Sequence, residues 1–311
     1  MEMKIIRDFA KLNIAGKTAV AIGKFDGLHL GHRELLACLL DQKKKGLETV
    51  VFTFEPSPEV YFRQSDGKQL LTADEKEKIL AEMGIDILFY FPMNERNAAM
   101  AAEFFVDDIL IDKLKMAYIC AGDDLRFGAR GVGIRQGDSE FILAMAKKRG
   151  FVAQILAKIM IGGREISSSY VREALENADM NLAADLLGRP YAFSGTVAAG
   201  NKLGRVLGFP TANMAIPETK IVPPNGVYKS LALTQLGEYK SISNIGVKPT
   251  LGGGHSPGIE TYLYDFCGDL YGSPITVLLR DFIRKERKFT DVGALKAQVE
   301  ADIRGGMEWF H

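Results

Sequence analysis

Residues 21–32 read Ala21-Ile-Gly-Lys-Phe-Asp-Gly-Leu-His-Leu-Gly-His32. The stretch follows a short apolar run, Thr18–Ile22, and precedes an amphipathic one, Arg33–Lys45. A strand that turns through glycines into a helix is half of a parallel α/β unit, where ligands gather beyond the carboxyl ends of the strands. Gly23, Gly27 and Gly31 permit tight turning and close backbone approach, and the helix start offers N–H groups to an anion. His29 and His32 add two imidazoles able to bond phosphate oxygens. Three blander readings compete. Zinc ligation lacks a third ligand at matching spacing. The Gly-x-Gly-x-x-Gly order of a dinucleotide fingerprint is absent. A purely structural turn has no use for two imidazoles beside its glycines.

Outward from this turn, Thr49–Phe54, Ile85–Phe91, Met116–Ala121 and Phe151–Leu156 are short apolar runs that predict buried strands. Thr72–Met83, Met100–Leu114 and Ser139–Arg149 predict the intervening helices, and with Arg33–Lys45 they wrap a parallel, Rossmann-like sheet. Ser168–Asn177 and Asn181–Leu187 predict two more helices that close this domain. Composition then changes: residues 1–186 hold 15 Gly and 3 Pro, whereas the shorter stretch 187–311 holds 17 Gly and 8 Pro. More turn-formers in less chain mean more frequent reversals. Tyr191–Ala198, Gly226–Leu233, Tyr239–Ile245, Gly258–Phe266 and Ile275–Ile283 predict strands of an antiparallel barrel or sandwich, with turns at Pro223-Pro-Asn-Gly226 and Gly252-Gly-Gly254. Leu295, Val299, Ile303 and Met307, at spacing four, predict a terminal helix against it. The expected domains are 1–187 and 188–311, joined through Gly188-Arg-Pro190.

The chain has 311 residues, enough for two cores, with 39 basic and 39 acidic side chains and zero formal net charge. No net field draws nucleic acid to it. Cys38, Cys120 and Cys267 cannot all pair and show no C-x-x-C spacing, which predicts reduced thiols and a cytoplasmic protein. Charges at Glu2, Lys4, Arg7, Asp8 and Lys11 exclude an apolar signal core, and no run approaches the ~20 apolar residues of a membrane span. Nothing in the sequence sets an oligomeric state.

The turn resembles the signature Gly-x-Phe-Asp-Gly-x-His-x-Gly-His of HxGH nucleotidylyltransferases. Thr53-Phe-Glu-Pro-Ser-Pro58, Leu71-Thr72 followed by Glu75-Lys76, Ala121-Gly-Asp-Asp-Leu-Arg-Phe-Gly128 and Ile166-Ser-Ser-Ser-Tyr-Val-Arg172 narrow the resemblance to bifunctional bacterial riboflavin kinase/FMN adenylyltransferases. The likeness runs from about Lys17 to the carboxyl terminus. It implies in-line attack of the FMN phosphate on the α-phosphorus of ATP, releasing pyrophosphate. Such a step needs positioning and charge neutralisation more than proton transfer. It further implies that His29 and His32 hold the triphosphate beside Gly23, Phe25, Asp26 and Gly31, with Ser168, Ser169 and Arg172 on the opposite side. Ser57, Asp124 and Arg126 would meet flavin or nucleotide, and Asp26 and Asp124 metal or substrate. The serine run also suits a plain helix cap, and Asp123-Asp124 a turn at a strand end. Two residues depart from the family pattern: Ser57 stands where Pro-His-Pro has histidine, and Leu125 where an aromatic is usual. A neutral hydroxyl does not replace a cationic donor in full.

The second part opens with Gly195-Thr-Val-Ala-Ala-Gly-Asn-Lys-Leu-Gly-Arg-Val-Leu-Gly-Phe-Pro-Thr-Ala-Asn213. A glycine-rich loop alone says little. Thr211 and Asn213, two residues apart on an extended segment, share a face and offer neutral oxygens suited to magnesium, or else satisfy turn backbone. This half resembles riboflavin kinase through Pro224-Asn-Gly-Val-Tyr228, Asn244-Ile-Gly-Val-Lys-Pro-Thr250, Glu260 before Asp265-Phe266, Leu270-Tyr-Gly272 and Ile283-Arg-Lys-Glu-Arg-Lys-Phe289. The resemblance implies Mg2+ on Thr211 and Asn213, and ATP along Gly200, Lys202, Gly204 and Arg205. It makes Glu260 the general base for the ribityl 5′-hydroxyl and puts flavin near Arg284 and Glu286. Without it, Glu260 is an ordinary strand residue and the charge run near Arg287 a solvated face.

Three functions follow. The first is a two-step enzyme taking riboflavin and ATP to FMN and then FAD. The second is a riboflavin kinase whose first domain adenylylates poorly because of Ser57. The third is a non-catalytic flavin-binding protein, which has no need of two intact phosphate sites.

Overall fold

The structure, a computed structural model, describes residues 2–12, 14–129, 137–198, 204, 207–249 and 255–309. Internal packing divides the chain into two units, Met1–Ser167 and Ser168–His311. The first unit carries a six-stranded parallel sheet made of β1 (Lys4–Ile6), β2 (Thr18–Ile22), β3 (Glu48–Glu55), β4 (Ile87–Pro92), β5 (Met116–Gly122) and β6 (Val152–Leu156). Their spatial order is β1-β4-β3-β2-β5-β6. Every residue of β2 is buried, as a central strand covered on both faces requires. From β2 the chain steps outward through β3 to β4, then returns to the other side of β2 as β5. The switch point therefore lies between β2 and β5, flanked by the turn at Gly23–His29 and the turn at Gly122–Leu125.

Helices α1 (Leu30–Lys43), α2 (Pro58–Tyr61), α3 (Ala73–Glu82) and α4 (Ser139–Arg149) connect the strands. One sheet face packs Val20, Ile22, Phe52 and Phe89 into a core with Phe105 and Ile142. The other face packs Ala19, Ala21, Val51 and Leu88 against Leu35, Leu36 and Leu39 of α1. The single helix expected over Met100–Leu114 is instead a short turn, Ala102–Phe104, running into a π-helix, Phe105–Lys113. That wider turn buries Phe105, Val106, Ile109 and Leu110 together.

The second unit begins with α5 (Ser168–Glu176) and α6 (Met180–Leu187). Packing groups both helices with the barrel, whereas composition sets the boundary after residue 187. The barrel strands are β7 (Ala192–Thr196), β8 (Thr211–Ala215), β9 (Gly226–Thr234), β10 (Gly237–Pro249), β11 (His255–Leu263) and β12 (Pro274–Lys285), ordered β7-β12-β9-β10-β11-β8. A bridge between Ala198 and Asn213 brings β8 back to the chain leaving β7, so the antiparallel barrel is nearly closed. Inside it, the buried hydroxyls of Ser230, Ser241, Ser243 and Thr261 form one hydrogen-bonded row. The terminal helix α7 (Val292–Trp309) lies on the outer face, where Ile303 and Met307 meet Val227, Ile242 and Tyr264. Its close seat depends on Gly306, since a Cβ there would lie 2.5 Å from Ile242 and from the Tyr264 hydroxyl. The turn at Gly252–Gly254 lies outside the described residues.

Candidate functional site

The signature turn is held in an unusual backbone. Phe25, Gly27 and Leu28 all have positive φ, at 51°, 85° and 45°, a conformation that costs two bulky residues of the three local strain. Burial offsets it, for Phe25 and Leu28 are both fully enclosed. The turn is also tied down at two points. Asp26 accepts the Leu70 N–H at 2.7 Å, and the Lys24 carbonyl accepts Thr53 Oγ1 at 3.1 Å and Lys76 Nζ at 3.2 Å.

His29 is the N-cap of α1, its Nδ1 accepting the His32 N–H at 3.4 Å. A neutral His29 therefore carries its proton on Nε2, a donor for an anion at the helix start. The two imidazoles stack with centroids 3.7 Å apart and planes 21° apart, and Phe25 lies against His32 at 5.1 Å. Burial first, then positive charge at His29, Lys76 and Lys24, holds the His32 pKa well below its ordinary value. Its Nδ1 is buried without a protein partner. Gly31 allows the stack, because a Cβ there would sit 3.2 Å from the His29 ring. At Gly23 a Cβ would sit 3.3 Å from the Phe25 ring.

Around this turn, Ser57 caps α2 by position without a side-chain cap bond. Lys24 pairs with Glu59 in the same helix. Asp124 is an exposed carboxylate 3.8 Å from Lys158, and Arg126 donates to the Leu125 carbonyl at 2.6 Å. Ser168 opens α5, with Ser169 exposed and Arg172 half-buried along it. Ile166, two residues earlier in the chain, brings its carbonyl 4.0 Å from the Cβ position of Gly31.

In the barrel, Asn213 lies opposite Glu260 across β8 and β11, and Asn244 of β10 lies opposite Glu260 on its other side. Three strands thus place an amide, a carboxylate and an amide side by side on the outer face. The Asn213 amide nitrogen donates to Thr211 O at 3.1 Å and Thr211 Oγ1 at 3.3 Å, joining the two side chains. Gly204 abuts them: its Cβ position is 3.5 Å from Thr211 Oγ1 and 2.5 Å from the Phe209 carbonyl, so only glycine fits. Gly200, Lys202 and Arg205 lie outside the described residues. The Thr211 and Asn213 oxygens are neutral, hard donors, which fits a magnesium ion. Among the described residues, no group of three or more His, Cys, Asp or Glu side chains is gathered as for a metal.

Arg284 does not stand open. Its guanidinium grips Asp302 of α7, Nε to Oδ1 at 3.0 Å and Nη2 to Oδ2 at 2.6 Å. Glu286 reaches over β10, its Oε1 2.7 Å from the Cβ position of Gly246. Two residues not singled out from sequence stand beside the candidate residues, Lys76 at the Lys24 carbonyl and Asn244 opposite Glu260. Both stand inside quoted motifs, where only their order, not their burial or register, was legible.

A family model described as FAD synthetase matches residues 11–170, and one described as riboflavin kinase matches residues 187–310. The bifunctional riboflavin kinase/FMN adenylyltransferase of Escherichia coli (strain K12) is 38% identical over 99% of this chain and 98% of its own length. The protein of that name from Bacillus subtilis (strain 168) is 35% identical over 94% of this chain and 93% of its own. A crystal structure described as a macrolide-efflux protein from Streptococcus pneumoniae superposes with a TM-score of 0.86 at 27% identity, covering 99% of this chain and 100% of that one. Among the described residues, no helix is long and apolar enough to cross a membrane.

Proposed function

The chain belongs to the bifunctional riboflavin kinase/FMN adenylyltransferase family, and from that premise we propose which of its residues carry each activity. It is a riboflavin kinase and an FMN adenylyltransferase: riboflavin and ATP give FMN, then FMN and a second ATP give FAD and pyrophosphate. We assign adenylyl transfer to residues 1–187 and phosphorylation to 188–311, in the cytoplasm.

For adenylyl transfer, His29 and His32 at the start of α1 bind the triphosphate of ATP; a phosphate-binding role for Ser168, Ser169 and Arg172 rests on the family likeness. The His29 Nε2 proton and the helix N–H groups meet charge that builds on the departing pyrophosphate. Asp26, through Leu70, keeps the turn in shape. Ser57, Asp124 and Arg126 lie toward flavin or nucleotide. For phosphorylation, Glu260 takes the proton of the ribityl 5′-hydroxyl as that oxygen attacks the γ-phosphorus. Thr211 and Asn213 would hold magnesium, which supplies charge neutralisation at the ATP phosphates. Gly204 gives ATP a close approach, with Gly200, Lys202 and Arg205 on the same loop. Glu286 borders the flavin, while Arg284 contributes through its grip on α7.

The observation that supports this assignment most is the outer-face row Asn213–Glu260–Asn244, a lone carboxylate between two neutral oxygen-bearing groups. The test is one incubation of the protein with riboflavin, ATP and magnesium, followed by chromatography. FMN succeeded by FAD is the expected course. FMN alone would leave a kinase with an idle first unit, and neither product would sink the assignment.

A further inference from the structure

Lys76, on the first turns of α3, is 7% exposed, which is rare for lysine. Thr72 and Glu75 fix its helix start through a reciprocal capping box. Its ammonium donates to the Lys24 carbonyl at 3.2 Å, the same oxygen that takes the Thr53 hydroxyl, and Thr53 is 1% exposed. Among the described residues it has no carboxylate within ion-pair distance. Asp26, Glu55 and Glu77 offset its burial only from farther away. A neutral side chain of similar length would fill this space without the cost of enclosing an ion. The charge acts on His32 as a neighbouring cation. Adenylyl transfer must bring a triphosphate and a phosphate monoester, both anionic, to one point, and a fixed cation lowers that repulsion.

We propose that Lys76 is a positioning residue for adenylyl transfer, fixing the Gly23–His29 turn through the Lys24 carbonyl and holding a positive charge beneath its phosphate-binding face. This rests on the assignment of adenylyl transfer to that turn. The experiment uses the full chain and its Lys76→Gln and Lys76→Arg variants. Gln keeps a hydrogen-bond donor and removes the charge, whereas Arg keeps both. FAD formation from supplied FMN is expected to lose about tenfold or more in kcat in Lys76→Gln. FMN formation from riboflavin should stay within about twofold, and Lys76→Arg should recover FAD formation to within about threefold. FAD formation in Lys76→Gln within threefold of the parent protein would overturn the proposal. So would an Arg variant as poor as Gln, or loss of cooperative thermal unfolding in both, which would make Lys76 a folding residue. If the parent protein itself makes FMN but no FAD, the assignment beneath the proposal fails instead.

Discussion

Two imidazolium cations stacked with centroids 3.7 Å apart would repel, so the His29/His32 stack disfavours a second positive charge. His32 is the member held neutral, by burial above all. The unfolded chain therefore binds a proton at His32 that the folded chain refuses. Stability from this residue is complete above the ordinary histidine value of 6.5 and is lost as pH falls from there toward the lowered folded value. His32→Gln is expected to flatten the acid-side decline of unfolding free energy, measured by urea titration at several pH values below 6.5; an unchanged slope would place the sensitivity elsewhere. Ser57 makes a second test at this scale. Its side chain makes no cap bond, so Ser57→His removes no capping interaction from the fold and returns a cationic donor. Its kcat/KM for FAD formation should rise several-fold, and no change would show the hydroxyl to be sufficient.

At the scale of elements, the Arg284–Asp302 pair joins β12 to α7. Asp302 is 8% exposed and also accepts Gln298 Nε2 at 2.7 Å. Asp302→Ala leaves a half-enclosed guanidinium unpaired and should cost about 2–4 kcal/mol. Thermal unfolding would register it, with hydrogen exchange rising first in α7. The same scale shows what the sequence made legible. α4 spans Ser139–Arg149 and β2 spans Thr18–Ile22 as the apolar spacing predicts. Several elements escaped, among them the four-residue α2. β1 has three residues, fewer than any periodic window can weigh. β8 was visible only as an extended segment, because Pro210 and the glycines before it mark a loop. The π-helix at Phe105–Lys113 keeps a helix-like spacing of apolar residues, and only packing reveals its wider turn. For the sites, motif order points to Glu260 and His29. Strand register, which sets Asn213 and Asn244 on either side of Glu260, is a long-range fact that local sequence does not carry.

For the whole molecule, the assignment of the two activities to different residues implies activities that can be lost one at a time. Glu260→Ala should abolish FMN formation and spare FAD formation from FMN, and His32→Ala should do the reverse. An equal mixture of the two variants should then convert riboflavin to FAD after a lag, followed by chromatography. Failure of the mixture, with each variant still performing its own half, would mean that FMN does not pass through solution. A different consequence follows from β1, whose single neighbour in the sheet is β4, with Lys4 opposite Ile87. In the order of synthesis, β1 emerges well before the strand it must lie beside, and β2 and β3 emerge in between. Arg7, which bonds Glu55 and Glu77 and covers the Tyr90 ring at 4.3 Å, latches that strand only once β3, α3 and β4 are all present. β1, made first, is thus secured only after β2 and β3 have formed, and a ribosome stalled before residue 92 would leave it without the neighbour it pairs with.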